Sequence, residues 1–251
     1  MIELKGVSIG YDNKLLLKNA DAIFKDSQLI ALIGRNGAGK STLLKAICGL
    51  NHDYAGEIII NNHNLRNIPK NKLATYIAFV HTRRPHISNI SCRDIVSLGR
   101  SPYTGWTGRL SSKDREAVDE ALSKVGMENF ADRKLDSLSD GECQKVMIAR
   151  AIAQDTTNII LDEPTSFLDL PTRFELVNLL KDLAHEKKKT IVFSTHELDI
   201  ALEMSDIITV IDHNSLVYGT TREIISKGCI QNLFSMPSDF IDRLLNMILG
   251  K

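Results

Sequence analysis

The sequence of 251 residues predicts an α/β fold with a mainly parallel sheet core, an N-terminal antiparallel β part and an inserted helical subdomain. Two observations predict the sheet: short apolar runs alternate with helical patterns, and several of these runs are apolar on both faces. The third observation is a change to helical periodicity between about residues 84 and 154. The chain is long enough to bury a full core as one large domain or as a domain with a subdomain.

Short strand patterns dominate the first third of the chain and return near its C-terminal end. They are rich in β-branched residues, which favour strands. Between the last two, Phe174, Val177, Leu180 and Ala184 recur at helical spacing and predict a helix. Strands that alternate with helices in this way predict a parallel sheet covered on both faces. The predicted strands are at residues 2–4, 7–9, 15–17, 30–33, 58–60, 77–80, 159–161 and 190–193.

The inserted region at about residues 84–154 contains helical patterns with recognisable ends. Ser111 and Asp114 have the spacing of a capping box, an apolar stripe follows, and Gly126 is expected to end this helix. A second apolar stripe runs through residues 142–154. These patterns together predict a subdomain of helices inserted into the sheet domain.

Residues 34–42, GRNGAGKST, form what we call the phosphate loop. Gly37 and Gly39 can adopt positive φ and bring backbone N–H groups close to an anion. The residues after the loop predict a helix, whose N-terminus would point its partial positive charge at the same anion. Lys40 adds a charge for the β- and γ-phosphates, and Ser41 has a hydroxyl for Mg²⁺. The pattern G-x-x-x-x-G-K-S between a strand and a helix is typical of a P-loop NTPase.

Two acidic residues, Asp162 and Glu163, follow directly after the predicted strand at 158–161. The carboxyl edge of an open α/β sheet is where such folds bind ligands, so we expect these residues to lie beside the phosphate loop. Asp162 can hold Mg²⁺, directly or through water. Glu163 can polarise a water in line with the γ-phosphate.

Composition and charge argue against several classes of function. The 31 basic and 31 acidic residues balance, so the overall charge does not favour nucleic acid as a partner, and lysines 187–189 are expected to form a solvated helix end. The four cysteines form no C-x-x-C pair, which favours free thiols in a reducing compartment. No apolar run approaches the ~18 residues that span a bilayer. Any role at a membrane is therefore expected at its cytoplasmic face, as a peripheral subunit bound through partner subunits.

Residues 138–144, LSDGECQ, precede a predicted helix and are called the signature segment below. They resemble the signature of the ABC-transporter ATPases, which is close to LSGGQ. The resemblance covers nearly the whole chain, and the other motifs stand in the order typical of that family. An aromatic residue comes first, followed by the phosphate loop, the acidic pair, a D-loop at 166–169 and a switch histidine.

The resemblance also sets domain boundaries. It implies an ABC transporter ATP-binding domain at residues 1–235, with the helical subdomain inserted, and a C-terminal helical tail at 236–251. Ser238 and Asp239 can cap a helix in this tail. We expect the tail to pack on its own domain, with contact to a second copy or a partner as the alternative.

Family chemistry can be carried over to the matching positions. The resemblance implies ATP hydrolysis with Mg²⁺ as cofactor, in which Glu163 is the general base or water-positioner, His196 contacts the γ-phosphate and Lys40 holds the phosphates. The implied Mg²⁺ ligands are Ser41, Asp162 and Thr82. The implied nucleotide contacts are Tyr11, which stacks on adenine, with Gly34, Arg35, Asn36, Gly37, Ala38, Gly39, Lys40, Ser41, Thr42, Ser139, Gly141, Glu142 and Asp169.

A second copy of the chain is an expected partner. In the family, the signature segment of one chain faces the phosphate loop of another across ATP, and two copies close head to tail. The local pattern agrees, because Ser139 and the N–H of Gly141 stand at a predicted helix N-terminus, which attracts anions. To shift such a dimer from mostly open to mostly closed, ATP must favour the closed form by roughly 5.5 kcal/mol.

Three positions depart from the family pattern. Thr82 stands where a glutamine is expected to ligate Mg²⁺, and its shorter side chain predicts slower or weaker Mg²⁺-dependent hydrolysis than a glutamine would give. Asp140 replaces the first glycine of the signature, and Glu142 replaces its glutamine. A carboxylate aimed at the γ-phosphate would repel it, so Asp140 is expected to turn away.

Residues 90–103, ISCRDIVSLGRSPY, resemble a segment of the ATPases of iron-siderophore, haem and vitamin B12 importers. In such importers this region forms the groove that receives a coupling helix of the membrane subunit. The resemblance implies transmembrane permease subunits as partners and, through them, a solute-binding protein. The alternative is a soluble ABC ATPase of non-transport function, such as iron–sulfur cluster assembly.

Overall fold

A computed structural model describes residues 1–11, 14–82, 85, 87–234 and 243 of the chain. The tail predicted at 236–251 falls, except for Arg243, outside the described residues. The strands are β1 (Ile2–Tyr11), β2 (Lys14–Phe24), β3 (Gln28–Gly34), β4 (Tyr54–Ile60), β5 (His63–Asn64), β6 (Ile77–Val80), β7 (Asn158–Leu161), β8 (Thr190–Ser194), β9 (Ile207–Asp212) and β10 (Ser215–Gly219). The α-helices are α1 (Lys40–Ile47), α2 (Lys70–Tyr76), α3 (Cys92–Ser97), α4 (Ser112–Lys124), α5 (Asp140–Ala153), α6 (Leu170–His185), α7 (Leu198–Met204), α8 (Thr221–Ser226) and α9 (Cys229–Phe234).

The larger sheet has the strand order β10-β9-β3-β8-β7-β6 and is parallel except for β10. It contains four of the predicted strands, and α6 covers the predicted helix between the last two, so these predictions are confirmed. Leu32 of β3 pairs with Ser194 of β8, and Leu161 of β7 pairs with Phe193. The carboxyl ends of these three neighbouring strands therefore meet at one edge of the sheet.

The smaller sheet is antiparallel, in the order β2-β1-β4-β5, and confirms the predicted N-terminal β part. Its first strand corrects one detail, because the pieces predicted at 2–4 and 7–9 form one strand. The ladder shifts register between Leu4 and Val7. Such a bulge breaks the alternation of inward and outward side chains without ending the strand, which explains why the sequence suggests two.

The helical subdomain packs α3, α4 and α5 together. The predicted capping box is confirmed: the Ser111 hydroxyl accepts from the Asp114 N–H, and the Asp114 carboxylate accepts from the backbone N–H of Ser111. Val118 of α4 and Val146 of α5 are buried in the same apolar cluster as Leu161 of β7. One continuous core therefore joins the helical subdomain to the large sheet.

A second apolar cluster fills the space between the two sheets. It joins Leu43, Leu44 and Ile47 of α1 to buried side chains of β1, β2 and β4, and also to Leu32 and Val192 of the large sheet. Because these positions are fully buried, α1 is fixed along its length. The phosphate loop therefore lies between two rigid elements, β3 and α1.

One surface prediction is wrong in part. Lys187 and Lys188 are exposed as expected for a solvated helix end, but Lys189 is buried. Its ammonium donates to Asp155 Oδ1 at 2.9 Å and to the Thr156 carbonyl at 2.7 Å. Buried lysines need such partners, and the run of three identical residues hides the change from surface to core. Among the residues that the structure describes, no helix is long and apolar enough to cross a membrane.

Candidate nucleotide-binding site

The phosphate loop connects the end of β3 to the start of α1. Gly37 and Gly39 have φ values of 78° and 102°, a region that favours glycine. Gly39 is also the N-cap of α1, and no side chain caps this helix end. The first backbone N–H groups of α1 are therefore available to an anion, which the helix dipole also favours.

The space at this loop fits a phosphate. A Cβ built on Gly37 meets no atom within 4 Å, so there is open space beside this glycine. At Gly39 the same atom would lie 3.0 Å from Leu16 Cβ, so β2 packs closely against the loop. Arg35 donates through Nε to the Leu233 carbonyl at 2.5 Å, which ties the loop to α9. The loop is therefore held by β2 and α9 and has open space beside Gly37.

Lys40 is only 6% exposed, and its ammonium folds back along the loop. Nζ donates to the Gly34 carbonyl at 2.8 Å and to the Arg35 carbonyl at 3.4 Å. An ammonium has three donors, so one remains for a phosphate oxygen. Burial lowers the pKa of Lys40, and the neighbouring carboxylates of Glu163 and Asp162 oppose that shift.

Asp162 is buried at the carboxyl end of β7, and its carboxylate accepts hydrogen bonds from two hydroxyl groups. Ser41 Oγ donates to Asp162 Oδ1 at 2.9 Å, and Ser194 Oγ donates to the same oxygen at 2.8 Å. Thr82 Oγ donates to the backbone carbonyl of Asp162 at 2.6 Å. Hydroxyl and carboxylate oxygens are the donors that Mg²⁺ prefers, so these residues fit that ion. The structure thus brings together the three predicted metal ligands.

Glu163 adopts φ 48°, a strained value for a non-glycine residue. Its backbone N–H donates to Ser194 Oγ at 2.9 Å, and its carboxylate accepts from Ser166 Oγ at 3.2 Å. Glu163 lines a cavity of about 290 Å³ together with glycines of the phosphate loop, Lys40 and Ser41. The strained backbone thus presents this carboxylate to the space in front of the loop.

Tyr11 ends β1 and is 70% exposed. It lines the cavity that contains Lys40 and Glu163, and also a neighbouring cavity of about 700 Å³ with Thr42 and Lys45. A planar base on Tyr11 would therefore stand next to the phosphates. His196 lies two residues beyond the end of β8, at the same edge of the sheet, with its side chain exposed.

Sequence reasoning missed Ser194 as a member of this site. Its hydroxyl is fully buried, donates to Asp162 and accepts from the Glu163 N–H, so it fixes both acidic residues. A signal was available, since a serine ends an otherwise apolar buried strand at the binding edge of the sheet. Buried hydroxyls of this kind need a partner, and here the partner is the acidic pair.

The signature segment forms the start of α5, with Ser139 as N-cap. The Glu142 carboxylate accepts from the Ser139 N–H at 2.8 Å and from the Ser139 hydroxyl at 2.7 Å. These bonds hold the pKa of Glu142 below its ordinary value. A Cβ on Gly141 would lie 3.2 Å from the Phe167 carbonyl, so the D-loop packs against this helix start. Asp169 caps α6 by accepting from the Thr172 N–H at 3.1 Å.

Within one chain the predicted nucleotide contacts fall into two groups. Residues of the phosphate loop line two cavities with Tyr11, and Glu163 lines one of these. No residue of the signature segment lines either cavity. One chain thus carries two separate clusters of anion-binding groups.

Known proteins resemble this chain over nearly its whole length. The profile of the ABC transporter family matches residues 17–166. The petrobactin import ATP-binding protein of Bacillus subtilis (strain 168) is 35% identical over 245 residues, which are 96% of this chain and 96% of that protein. The iron(3+)-hydroxamate import ATP-binding protein of the same organism is 30% identical over 236 residues, 94% of this chain and 88% of that protein.

Solved structures similar to this chain come from the same family of ABC transporters. A metal-chelate type ABC transporter in an inward-facing conformation matches with a TM-score of 0.83 and 29% identity, over 94% of this chain and 89% of that one. The dimeric structure of a bacterial ABC transporter cassette matches with a TM-score of 0.79 and 30% identity, over 88% of this chain and 99% of that one. The chain therefore belongs to the ABC transporter family, as an ATP-binding and ATP-hydrolysing subunit.

Proposed function

We propose that this chain is the energy-coupling ATPase of an importer for iron chelates such as siderophores, for haem or for cobalamin. Residues 90–103 carry the pattern typical of such ATPases, and the similar proteins named for petrobactin and iron(3+)-hydroxamate import support the same class. The proposed ATPase domain is 1–235 with the helical subdomain at about 84–154.

One observation carries the proposal for the chemistry: Lys40, Ser41 and Glu163 share one cavity with the glycines of the phosphate loop. Lys40 and the backbone N–H groups of residues 34–42 hold the phosphates, because their donors converge on the open side of the loop. Ser41, Asp162 and Thr82 hold Mg²⁺, which supplies charge neutralisation at the phosphates when bound. Ser194 keeps the Asp162 carboxylate in place for this role.

Glu163 positions the attacking water and accepts its proton. Ser166 donates to its carboxylate and Ser194 accepts from its backbone, so the side chain is oriented from two sides. A positioned general base contributes roughly 10²–10⁴-fold to a rate. His196 contacts the γ-phosphate from the end of β8.

The second half of the site comes from a second copy of the chain. Ser139 and Gly141 face the γ-phosphate of the partner's nucleotide. Glu142 contributes indirectly, through its hydrogen bonds with Ser139. Asp169 lies at the same interface. Separation of the two clusters within one chain supports this arrangement, and the dimeric cassette of similar fold supports it further. Several charge-assisted bonds, each contributing about 1.5–3 kcal/mol, can close such a dimer.

An open groove of about 450 Å³ supports the permease as a partner. Apolar side chains line it, among them Leu50 and Leu98, which are 63% and 52% exposed. Arg150 of α5 and Gln154, directly after this helix, are among its polar lining residues. A coupling helix of the permease would cover this apolar surface and connect it to α5, which carries the signature segment. The chain would then work at the cytoplasmic face of the membrane.

The test is ATP turnover in the complete transporter. We expect a binding protein loaded with a ferric siderophore, haem or cobalamin to stimulate phosphate release from liposomes that contain the permease and this chain. Glu163→Gln should keep ATP binding and lose turnover by roughly 10²–10⁴-fold, the usual contribution of a general base. Glu175→Gln, an exposed residue of α6, is the matched control and should turn over normally.

Normal turnover of Glu163→Gln would remove this residue from its role. If none of the three ligand classes stimulates the complex, the importer assignment is wrong. A chain that binds no permease and instead supports iron–sulfur cluster assembly would favour the soluble alternative.

A further inference from the structure

In the proposed dimer, the start of α5 binds a γ-phosphate. At this same place the chain already holds a carboxylate, that of Glu142. Glu142 Oε2 accepts from both donors of Ser139, the hydroxyl at 2.7 Å and the backbone N–H at 2.8 Å. The Glu142 N–H donates back to the Ser139 hydroxyl oxygen at 3.3 Å. A hydroxyl has a single proton to donate, and here a carboxylate of the same chain receives it.

A γ-phosphate would need the same proton. The hydroxyl of Ser139 cannot donate to the Glu142 carboxylate and to a phosphate oxygen at the same time. A carboxylate in direct contact with Ser139 also repels a phosphate that approaches the same atom. Phosphate binding therefore requires the Ser139 hydroxyl to give up its bond to the Glu142 carboxylate.

Other capping boxes of the chain show what is particular about this one. The same reciprocal bonds occur at Ser91 with Asp94, at Ser111 with Asp114 and at Thr220 with Glu223. At Ser111 the carboxylate also accepts from Arg100 Nε at 2.9 Å, which offsets its charge. Glu142 forms no ion pair among the described residues, and only the more distant charges of Arg133 and Lys145 act on it. Of these four capping boxes, only the one at the signature segment includes a residue that we propose to contact a phosphate.

We infer that Glu142 competes with the γ-phosphate for Ser139, so that it sets how much ATP is needed to close the dimer. This inference rests on the proposed head-to-tail dimer. A glutamine at this position still completes a capping box, so α5 keeps its start. It carries no charge, and its amide can donate to a phosphate oxygen. The neutral side chain therefore holds the Ser139 hydroxyl less strongly, no longer repels the phosphate, and keeps the start of α5.

The experiment measures dimer formation by light scattering as ATP is added, with every variant made in a Glu163→Gln chain so that ATP is not consumed. We expect Glu142→Gln to lower the ATP concentration at half-dimerisation by about tenfold, which corresponds to about 1.4 kcal/mol. Glu223→Gln removes the carboxylate of an equivalent box on α8 and should not shift the midpoint. Asp140→Asn removes a neighbouring charge without touching Ser139 and should shift it less.

Three results would overturn the inference. The first is an unchanged midpoint for Glu142→Gln. The second is an equal shift for Glu223→Gln or for Asp140→Asn, which would indicate a general effect of stability or charge. The third is that every variant binds ATP in equilibrium dialysis but none dimerises, which would refute the proposed dimer itself. Unfolding temperatures close to that of the parent chain will verify that all variants are folded.

Discussion

The phosphate loop and the signature segment, which we propose as the two halves of the nucleotide site, are in very different states of assembly. At the phosphate loop, Lys40 and Asp162 are buried, and Ser41 already contacts Asp162 at 2.9 Å. At the signature segment, Ser139 is exposed and its donors are engaged by Glu142. The first half is ready for a nucleotide, whereas the second must first release an internal contact. ATP binding and dimer closure should therefore be separable steps.

The difference has a structural origin. The phosphate loop is fixed by β3 and α1, and its acidic partners end neighbouring strands of the same sheet. Backbone ladders and two apolar clusters thus determine the distances. The signature segment depends on one helix start, where the strongest available partner is the local carboxylate. Mutations that affect only one of the two half-sites are the way to test this comparison.

Among the variants that compare the two half-sites, the largest effect is expected at Lys40. Lys40→Ala removes a charge-assisted bond to the phosphates, commonly 1.5–3 kcal/mol, so ATP affinity of the single chain should fall by about 10–100-fold. Titration with a fluorescent ATP analogue will measure this. Lys187→Ala, at an exposed lysine, is the control and should bind normally. Unchanged affinity of Lys40→Ala would mean that the loop amides alone hold the phosphates.

A pair of serine variants compares the half-sites directly. Ser41→Ala should weaken Mg²⁺-ATP binding to the single chain by roughly tenfold, because one proposed Mg²⁺ ligand is lost. Ser139→Ala should leave that binding unchanged and weaken ATP-driven dimerisation by a similar factor. Thr220→Ala removes an equivalent N-cap on α8 and controls for helix stability. If Ser139→Ala weakened binding to the single chain, the two half-sites would not be separate.

A smaller effect is expected at Thr82, which donates to the Asp162 carbonyl at 2.6 Å. Thr82→Gln should raise the turnover rate and lower the Mg²⁺ concentration that supports half-maximal activity, because the longer side chain can reach the metal. Thr82→Val keeps the shape but removes the hydroxyl, so it should lower the turnover rate and raise the Mg²⁺ concentration that supports half-maximal activity. Steady-state phosphate release at varied Mg²⁺ concentration will measure both the turnover rate and the Mg²⁺ concentration for half-maximal activity. If Thr82→Gln changes neither quantity, Thr82 does not limit the site.

The smallest effect concerns the capping box that carries a cation. Hydrogen bonds from the Ser111 hydroxyl and backbone N–H, and then from Arg100, lower the pKa of Asp114 from 3.8 to about 2. A lowered pKa means that the ionised form stabilises the fold above pH 3.8 and that this contribution disappears as the pH falls toward 2. The free energy of unfolding of Asp114→Asn should therefore fall less steeply over that window. An identical pH dependence in both chains would contradict the role of this box.

Much of the fold and of the first half-site could be predicted because the relevant spacings are local. The phosphate loop places Gly37, Gly39, Lys40 and Ser41 within a few residues, and apolar runs identify the strands that carry Asp162 and Glu163. The bulge in β1 escaped prediction because it interrupts the alternation on which strand assignment depends. Pairing partners far apart in sequence, such as Ser194 with Asp162, depend on strand order, which composition does not encode.

The state of the second half-site was predictable in principle. Ser139 and Glu142 have the same spacing as Ser111 and Asp114, which does predict a capping box. The family pattern instead assigns both residues of the signature segment to the nucleotide. Only the hydrogen-bond geometry reveals that the carboxylate is turned toward Ser139 and not toward an external ligand.

The central claim is that the phosphate loop of one copy faces the signature segment of another, and crosslinking of two chains that each carry one introduced cysteine, beside the buried Cys48, Cys92 and Cys143, tests it most directly. Asn36→Cys and Asp140→Cys chains, both in a Glu163→Gln, Cys229→Ser background, are mixed and treated with a short thiol crosslinker. We predict a crosslinked pair that forms only in the mixture and only with ATP. A mixture that yields no ATP-dependent pair, although each chain binds ATP, would contradict the account.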